Sequence, residues 1–458
     1  MPSSPEIRIV AVNGMLGYGY PLASLDAGVA AHPHAFVVDA GSTDAGPFFL
    51  GSGGSLTKPL QVLRDMRHAV LVAQRAGVPL IIGSAGFGGG RPHVNTALEM
   101  LKRIAEEEHL TLTCAVIQAE IESATVLDAF RQGLITPMPG APALDEVRIV
   151  SSSRIVGQMG TEPLVRALRT GADVILAGRA CDAALYAAVP LMHGFDPGLA
   201  FHMAKVMECG AQCAIPLAPS DCLLGSIDSE GFTLRPLNPD RICTPESVAA
   251  HALYEQPDPF RIVEPEGEVD LTETRYSQID RASVRVSGSR FVPQPPPFRI
   301  KLEGARIRGY RAITVAGARD PAVIANLDAI ESRARETARA HLAGHLDESQ
   351  YQIRFLFYGR DAVLGHLEPS KTSPHEVGVV IDVVGETLDI AQDVLALVRA
   401  STLHAPFEGR KTTAGNLAMP FSPSDFVGDA VYEFSLYHLM EVHDMTSLFP
   451  LETIVIGG

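Results

Sequence analysis

The sequence predicts an α/β fold: an N-terminal domain with a parallel sheet and helices on both faces, an irregular middle region, and an α+β (ferredoxin-like) C-terminal domain. Short apolar runs alternate with amphipathic segments in the first 220 residues, as in sheets built from β-α-β units. Four runs end at clusters of glycine and small polar residues: residues 7–12, 35–38, 78–82 and 173–176. Because ligands bind beyond the carboxyl ends of parallel strands, we expect these four loops to form one composite site.

The other elements of the first domain follow from the spacing of their apolar residues. Residues 60–76 and 96–109 have helical periodicity, and Gly77 is placed to end the first of these helices. Residues 111–117 and 147–150 are predicted strands, and residues 162–170 a helix that ends at Gly171.

Prolines become frequent after residue 216, and the predicted strands there are short: residues 284–286, 298–302 and 312–315. Residues 293–297 (PQPPP) are a stiff connector between them. The last block combines strands and helices in a β-α-β pattern typical of ferredoxin-like domains, at residues 321–342, 351–357, 377–384, 388–403 and 431–439. We therefore expect three domains, at residues 1–220, 221–315 and 316–458.

Composition excludes several classes of protein. A net charge of −16 argues against a nucleic-acid surface, which needs clustered Lys and Arg. No apolar run reaches the roughly 18 residues of a membrane span, so we expect no membrane association. The first residues lack the charged and apolar regions of a signal peptide, and six scattered cysteines suit reduced thiols. These features predict a cytoplasmic protein.

The loop at residues 39–47 (DAGSTDAGP) is rich in polar groups. We predict Asp39 and Asp44 as catalytic carboxylates and Ser42 and Thr43 as substrate-binding hydroxyls. Carboxylates in such a loop can act as bases, hold a ribose hydroxyl or bind a divalent cation. The structural alternative is that they cap the following helix.

The loop at residues 83–90 (GSAGFGGG) leads into a helix, whose backbone N–H groups favour an anion. We predict that Ser84, Gly86 and Arg91 bind substrate and that His93 is a catalytic acid or base. The alternative for His93 is a structural role at the helix end. Ser84 lies outside a GxSxG motif, so a hydrolase nucleophile is not expected there.

Three further residues complete the predicted site. Asn13 lies in a weakly phosphate-loop-like segment and is predicted to bind substrate, unless this segment is a plain tight turn. Glu122 is a candidate catalytic acid or base, with a solvated loop as the alternative. Arg179 suits a bidentate grip on a substrate carboxylate, or else pairs with Asp182. The sequence does not identify a cofactor; these carboxylates could hold a divalent cation, although no ligand spacing indicates one.

Other polar positions are predicted to be less informative. Cys181 has no visible base for a nucleophilic role, and Glu208 is expected to be structural. Residues 409–416 form a basic, glycine-containing segment that is a candidate lid or anion contact, with a plain surface loop as the alternative.

Several of these segments together resemble the acyclic terpene utilization AtuA family, and the resemblance spans nearly the whole chain. They are residues 39–47, 83–90, 178–184 (GRACDAA), 208–212 (ECGAQ), 236–240 (PLNPD), 243–246 (CTPE), 301–304 (KLEG) and 413–417 (TAGNL). The resemblance implies bacterial catabolism of citronellol- and geraniol-type compounds through acyl-CoA intermediates. Some relatives have a small companion domain; here the C-terminal block or a separate chain would take its place.

These observations favour a catabolic lyase or hydratase acting on a small carboxylate or its acyl-CoA thioester. Such chemistry needs an acid–base pair and an anion clamp. Two alternatives stay open: a nucleotide- or phosphate-dependent transferase or ligase, and a non-catalytic ligand-binding subunit of a catabolic complex. No Walker lysine follows Gly90, which weakens the first alternative. We expect a small anionic substrate and a homo-oligomer, with or without a small companion subunit.

Overall fold

A computed structural model describes residues 6–254, 256–370, 372–411 and 414–458. Residues 1–5, where a signal peptide was looked for, lie outside the described residues. So does Thr413, which belongs to the family-like segment 413–417. The chain forms two compact units. The first comprises the described residues up to Arg306 together with Phe434–Gly458, and the second is Ile307–Glu433.

The first unit is built on a mixed ten-stranded sheet. Its strands, in spatial order, are Arg275–Gln278, Val284–Ser287, Phe232–Pro236, Leu223–Ile227, Ile7–Ala11, Ala35–Asp39, Leu80–Gly83, Val174–Ala177, Thr111–Ile117 and Leu451–Gly457. The five strands from Ile7–Ala11 to Thr111–Ile117 are parallel. Antiparallel strands extend the sheet at both edges. The carboxyl ends of the five parallel strands therefore lie along one edge.

Helices cover both faces of this sheet because apolar side chains alternate along its strands. Ile9 and Ala11 belong to one core, whereas Val10 and Val12 belong to the other. The first core includes residues of Thr161–Leu168, Asp182–Met192 and Pro197–Met207, and the second those of Pro59–Ala76 and Arg91–Glu107. The other helices of the unit are Leu22–Ala30, Pro47–Ser52, Ser123–Arg131, Glu146–Val150 and Pro245–Ala252, with a 3-10 turn at Gly210–Cys213.

Smaller sheets complete the first unit. Arg261–Glu264, Gly267–Asp270 and Arg290–Pro293 form a three-stranded antiparallel sheet, and Ala214–Ile215 pairs with Ile242–Cys243. Arg154–Gly157 pairs with residues 302–305, and Ile135–Pro137 with residues 438–440.

The second unit follows the order strand, helices, strand, strand, helix, strand. Its sheet has the order Tyr351–Tyr358, Val377–Gly385, and then parts of the long strands Phe298–Ala318 and Asp425–Val442. The helices Pro321–Ala325, Leu327–Leu342 and Leu388–His404 share a core with this sheet. The 3-10 turns are Glu348–Gln350 and Gly365–Leu367. Whether the unit is a ferredoxin-like domain stays a prediction.

The structure corrects several predicted elements. Residues 147–150 are helical, within Glu146–Val150, because Asp145 caps this turn by accepting a hydrogen bond from the Arg148 N–H at 2.7 Å. The two short strands predicted at 298–302 and 312–315 are one strand, Phe298–Ala318. The helix predicted at 321–342 is interrupted at Asn326, whose φ of −112° is non-helical.

The compact units also have different boundaries from the predicted domains. Leu223–Ile227 from the predicted middle region pairs with the first strand of the main sheet, and Leu451–Gly457 from the predicted C-terminal domain pairs with Thr111–Ile117. Pairing between strands distant in sequence cannot be recognised from local composition. No helix in the described ranges is both long and apolar enough to cross a membrane.

Candidate functional site

The loops after the parallel strands pack tightly against one another. Gly41 lies so close to the next loop that a Cβ atom there would be 1.9 Å from the Phe87 carbonyl oxygen. Gly89 has a φ of +66°, and a Cβ atom on it would lie 2.2 Å from the Arg179 nitrogen. Glycine is therefore required where three of the four strand-end loops meet.

A buried hydrogen-bonded network joins these loops to the residue pair Lys301 and Glu303. The Arg179 Nε atom donates to Glu303 Oε2 at 2.8 Å, and its Nη1 atom donates to Ser84 Oγ at 3.1 Å. Thr43 Oγ1 donates to the other oxygen of Glu303 at 2.8 Å, and Lys301 Nζ lies 2.8 Å from the same oxygen. Burial would raise the pKa of Glu303, but Arg179 and Lys301 hold it at about 2. Glu303 is therefore an ionised carboxylate that fixes both cations.

Lys301 also lines a cavity of about 650 Å³ in the first unit. Cys181 and Asp182 reach it from the start of the helix Asp182–Met192, and Lys205 and Glu208 from the end of Pro197–Met207. Its other residues are Met138, Gln158, Ala183, Gln256, Pro257, Val263, Glu264, Pro265, Gly267, Glu268, Val292, Pro293, Gln294, Arg299 and Leu439. Acidic, basic and thiol groups thus share one cavity with an apolar wall.

Two close contacts organise the polar side of the cavity. The Cys181 thiol donates to Glu264 Oε2 at 3.0 Å, and the Lys205 ammonium forms an ion pair with Glu208. Burial raises the pKa of Glu264 to about 8, with smaller contributions from Glu266 and Asp182. At neutral pH most of Glu264 is therefore protonated, as a general acid must be.

The pKa values of the neighbouring acidic groups are raised as well. Burial raises the pKa of Asp182, against the opposing charges of Arg179 and Lys205. Burial also raises the pKa values of Glu208 and of the Cys181 thiol, and nearby carboxylates add to both shifts. Carboxyl groups with raised pKa values that share a cleft are a recognised feature of acid–base sites.

The structure brings some of the predicted site residues together. Thr43, Ser84 and Arg179 belong to the buried network just described. Asp39 is buried beside Ser84, and its Oδ1 atom has no hydrogen-bond partner among the described residues. Burial, together with the nearby Asp182, raises the pKa of Asp39. None of these four residues lines the cavity.

Other predicted residues have a structural environment. His93 is buried, with Nδ1 accepting from the Gly90 N–H at 3.2 Å and Nε2 lying 3.0 Å from the Phe49 carbonyl oxygen. Burial lowers the pKa of His93. Glu122 is exposed and forms a surface ion pair with Arg91 at 2.9 Å. Both ring nitrogens of His93 are thus occupied, and Glu122 is a solvated side chain.

The remaining predicted residues also lie outside the cavity lining. The side-chain oxygen of Ser42 accepts from the Asp44 N–H at 3.0 Å, in an exposed turn. Gly86 has a φ of +74° and packs on the His93 carbonyl. Asn13 is fully buried, and its Nδ2 atom donates to the Gly19 carbonyl at 3.3 Å.

Both glycine-containing loops that were predicted to bind an anion already hold a carboxylate of the chain itself. Glu120 Oε2 accepts from the Arg91 N–H at 2.7 Å, at the start of the helix Arg91–Glu107. Asp65 Oδ2 accepts from the N–H groups of Gly17 and Gly19 at 2.9 and 2.8 Å. These three N–H groups are therefore engaged within the chain.

Sequence reasoning missed Lys205, Glu264, Lys301 and Glu303. Lys301 and Glu303 lie in one of the family-like segments, 301–304, which was a usable signal. Glu208 was expected to be structural, but it pairs with Lys205 in the cavity. Glu264 is contributed by a strand of the small three-stranded sheet and lies in no motif. Within the described ranges, no group of three or more His, Cys, Asp or Glu residues is arranged to hold a metal ion.

A protein-family model described as "Acyclic terpene utilisation family protein AtuA" matches residues 60–216 and 233–421 of the chain. The match includes the Gly83–Gly90 loop, the Cys181–Glu264 contact, the Lys205–Glu208 pair and residues 301–304. No curated protein and no solved structure matches the chain.

Proposed function

The chain belongs to the acyclic terpene utilisation family, and we propose that it is a lyase or hydratase that transfers protons to and from a small branched carboxylate or its acyl-CoA thioester. Family membership indicates a role in acyclic terpene utilisation. The observation that carries the proposal is the contact between Cys181 and Glu264 beside the Lys205–Glu208 ion pair, inside one cavity.

The cavity suits a substrate with an anionic or carbonyl end and an apolar branched end. Its volume of about 650 Å³ lies within the range common for small-molecule sites, roughly 300–1,000 Å³. Lys205, Lys301 and Arg299 supply positive charge to its lining. Met138, Val263, Val292 and Leu439 supply apolar surface. An acyl group would bind to the apolar residues, with its carboxylate or thioester oxygen near the cations.

In the proposed addition of water to a 2,3-unsaturated acyl group, the side chains of the cavity have separate roles. Asp182 accepts a proton from water as the oxygen bonds to the third carbon, and protonated Glu264 donates a proton to the second carbon. Lys205 and Lys301 stabilise the negative charge that develops on the carbonyl oxygen between these events. Elimination of water is the reverse of the same steps.

The buried network fixes the positions of the base, Asp182, and of the cation, Lys301. Arg179 lies 3.6 Å from Asp182 Oδ1 and also pairs with Glu303, which in turn holds Lys301. Arg179 is therefore proposed as a positioning residue for both sides of the site, in place of the direct substrate contact expected from the sequence.

The nucleotide- or phosphate-dependent alternative has less support. Its phosphate would need backbone N–H groups, but those of Gly17 and Gly19 donate to Asp65 and that of Arg91 donates to Glu120. The cations of the acid–base cavity are side chains. Such cations bind a carboxylate as well as they bind a phosphate.

The proposal can be tested with a panel of 3-methyl-branched 2,3-unsaturated acids and their CoA thioesters. Incubation in ¹⁸O-labelled water followed by mass spectrometry would detect hydration as an added labelled water. We expect label in at least one member of the panel. Absence of turnover across the panel, together with a tight stoichiometric protein partner, would favour the non-catalytic subunit.

A further inference from the structure

The first unit contains a second, smaller cavity on the other face of the main sheet. Its volume is about 220 Å³. Its lining includes the apolar side chains of Leu16, Val62, Met66, Ile82, Ala97 and Met100. Leu16, Met66, Ile82 and Ala97 belong to the core packed by Pro59–Ala76 and Arg91–Glu107, whereas the acid–base cavity is lined from helices of the opposite core. The two cavities have no lining residue in common.

The chemistry of the small cavity differs from that of the acid–base cavity. Four of its polar side chains are engaged within the protein. Thr96 Oγ1 donates to the Pro92 carbonyl at 2.9 Å, and both His93 ring nitrogens have partners. Ser55 and Thr57 form a hydrogen bond of 3.0 Å with each other, and the exposed Lys58 follows them. Apart from His93 and Thr96, the polar side chains of the lining come from one polar margin, residues 55–58.

The segment beside this margin exposes apolar side chains to solvent. Leu60 is 79% exposed and Leu56 is 42% exposed, and both are adjacent in sequence to residues that line the cavity. Gly53 and Gly54 begin the same segment and also line the cavity.

We propose that this cavity binds a short apolar chain with one terminal hydroxyl or carboxylate, at a site separate from the acid–base cavity. An engineered cavity of about 150 Å³ binds benzene, so 220 Å³ has room for roughly nine non-hydrogen atoms. The chain would lie among Met66, Ile82 and Met100. The terminal oxygen would lie at the margin formed by Thr57 and Lys58.

The distribution of methionines allows a test without any substitution in the cavity. Met66 and Met100 line the small cavity, and Met138 lines the acid–base cavity. We would label the methionine methyl groups with ¹³C and titrate the full chain with 1-octanol, which has nine non-hydrogen atoms. The expected result is that the Met66 and Met100 signals shift together along one saturable curve while the Met138 signal stays in place.

Two variants of the chain are compared in the same titration. Ala97→Leu fills the small cavity, and Ala23→Leu makes the same change at an exposed position of the helix Leu22–Ala30. We expect Ala97→Leu to weaken octanol binding at least tenfold and Ala23→Leu to leave it unchanged. Unshifted Met66 and Met100 signals in the unmodified protein would overturn the proposal, whatever the stability of Ala97→Leu. Since Met138 reports on the acid–base cavity, this outcome can be distinguished from failure of the proposed hydratase function.

Discussion

Arg179 and Glu303 form an ion pair away from solvent, with Nε and Oε2 2.8 Å apart and side chains that are 4% and 0% exposed. The two residues are distant in sequence, and each has further partners that lead toward the cavity. Glu303 holds Lys301, and Arg179 approaches Asp182. The proposed site therefore depends on a buried charge network that substrate itself need not contact.

Arg179→Met should destabilise the protein strongly. It leaves the Glu303 carboxylate buried with only Lys301 as a cation, and breaking a buried pair in this way costs about 3–5 kcal/mol. Arg179→Lys retains the charge but not the forked geometry, so we expect a smaller loss. Urea unfolding monitored by circular dichroism measures both.

The matched control for this experiment is Arg91→Met. Arg91 forms an exposed pair with Glu122, and such pairs contribute about 0–1 kcal/mol. If Arg179→Met lost no more stability than Arg91→Met while affinity for an anionic ligand fell tenfold, Arg179 would be a substrate-binding residue, as the sequence predicted.

Glu120→Ala should loosen the start of the helix Arg91–Glu107. Glu120 accepts hydrogen bonds from the Arg91 N–H at 2.7 Å and from Arg154 Nε at 3.1 Å. Losing a charged partner of this kind costs about 1–3 kcal/mol. Faster hydrogen exchange of the Arg91 amide would localise the effect. Glu99→Ala, which breaks only an exposed pair with Lys102 on the same helix, should change neither quantity appreciably.

Glu264→Gln should alter how stability depends on pH. The pKa of Glu264 in the folded protein is about 8, above its usual value of 4.5. Between these values the folded chain holds a proton that the unfolded chain releases, so this group makes stability fall as pH rises. The loss approaches about 5 kcal/mol above pH 8, at 1.36 kcal/mol for each pH unit.

Urea unfolding at several pH values from 5 to 9 would show this effect. The unmodified protein should lose stability through this window relative to Glu264→Gln, which has no ionisable group at that position. Glu122→Gln provides a matched control at an exposed carboxylate. Parallel stability curves for the unmodified protein and Glu264→Gln would mean that Glu264 ionises at its ordinary pKa.

The parallel part of the sheet could be predicted from sequence because its signals are local. Apolar runs that end at glycine-rich loops marked four strands, which the structure has at Ile7–Ala11, Ala35–Asp39, Leu80–Gly83 and Val174–Ala177. Gly77 ends the helix Pro59–Ala76 with a φ of +66°, as expected from its position. The antiparallel edges could not be predicted, because the pairing of Leu451–Gly457 with Thr111–Ile117 joins segments more than 300 residues apart.

The same distinction between local and distant signals applies to the site. Thr43, Ser84 and Arg179 were identified because each lies in a strand-end loop. Glu303, which accepts from Thr43 and Arg179, lies in a long strand and was marked only by the family-like segment 301–304. Glu122 and His93 were plausible by residue type, but a surface ion pair and a buried hydrogen-bonded position account for them. Residue type gives the candidate chemistry, whereas burial and partners decide which candidates can perform it.

The central claim is that Glu264 transfers a proton in a cavity that binds a branched acyl group. It is tested most directly by comparing the unmodified protein, Glu264→Gln and Glu122→Gln in the hydration of 3-methylbut-2-enoyl-CoA in ²H₂O. Mass spectrometry would measure the incorporation of deuterium at the second carbon. General acid–base catalysis contributes about 10²–10⁴-fold, so Glu264→Gln should lose at least a hundredfold in rate while Glu122→Gln keeps full activity. Equal rates of deuterium incorporation in all three proteins would contradict the account.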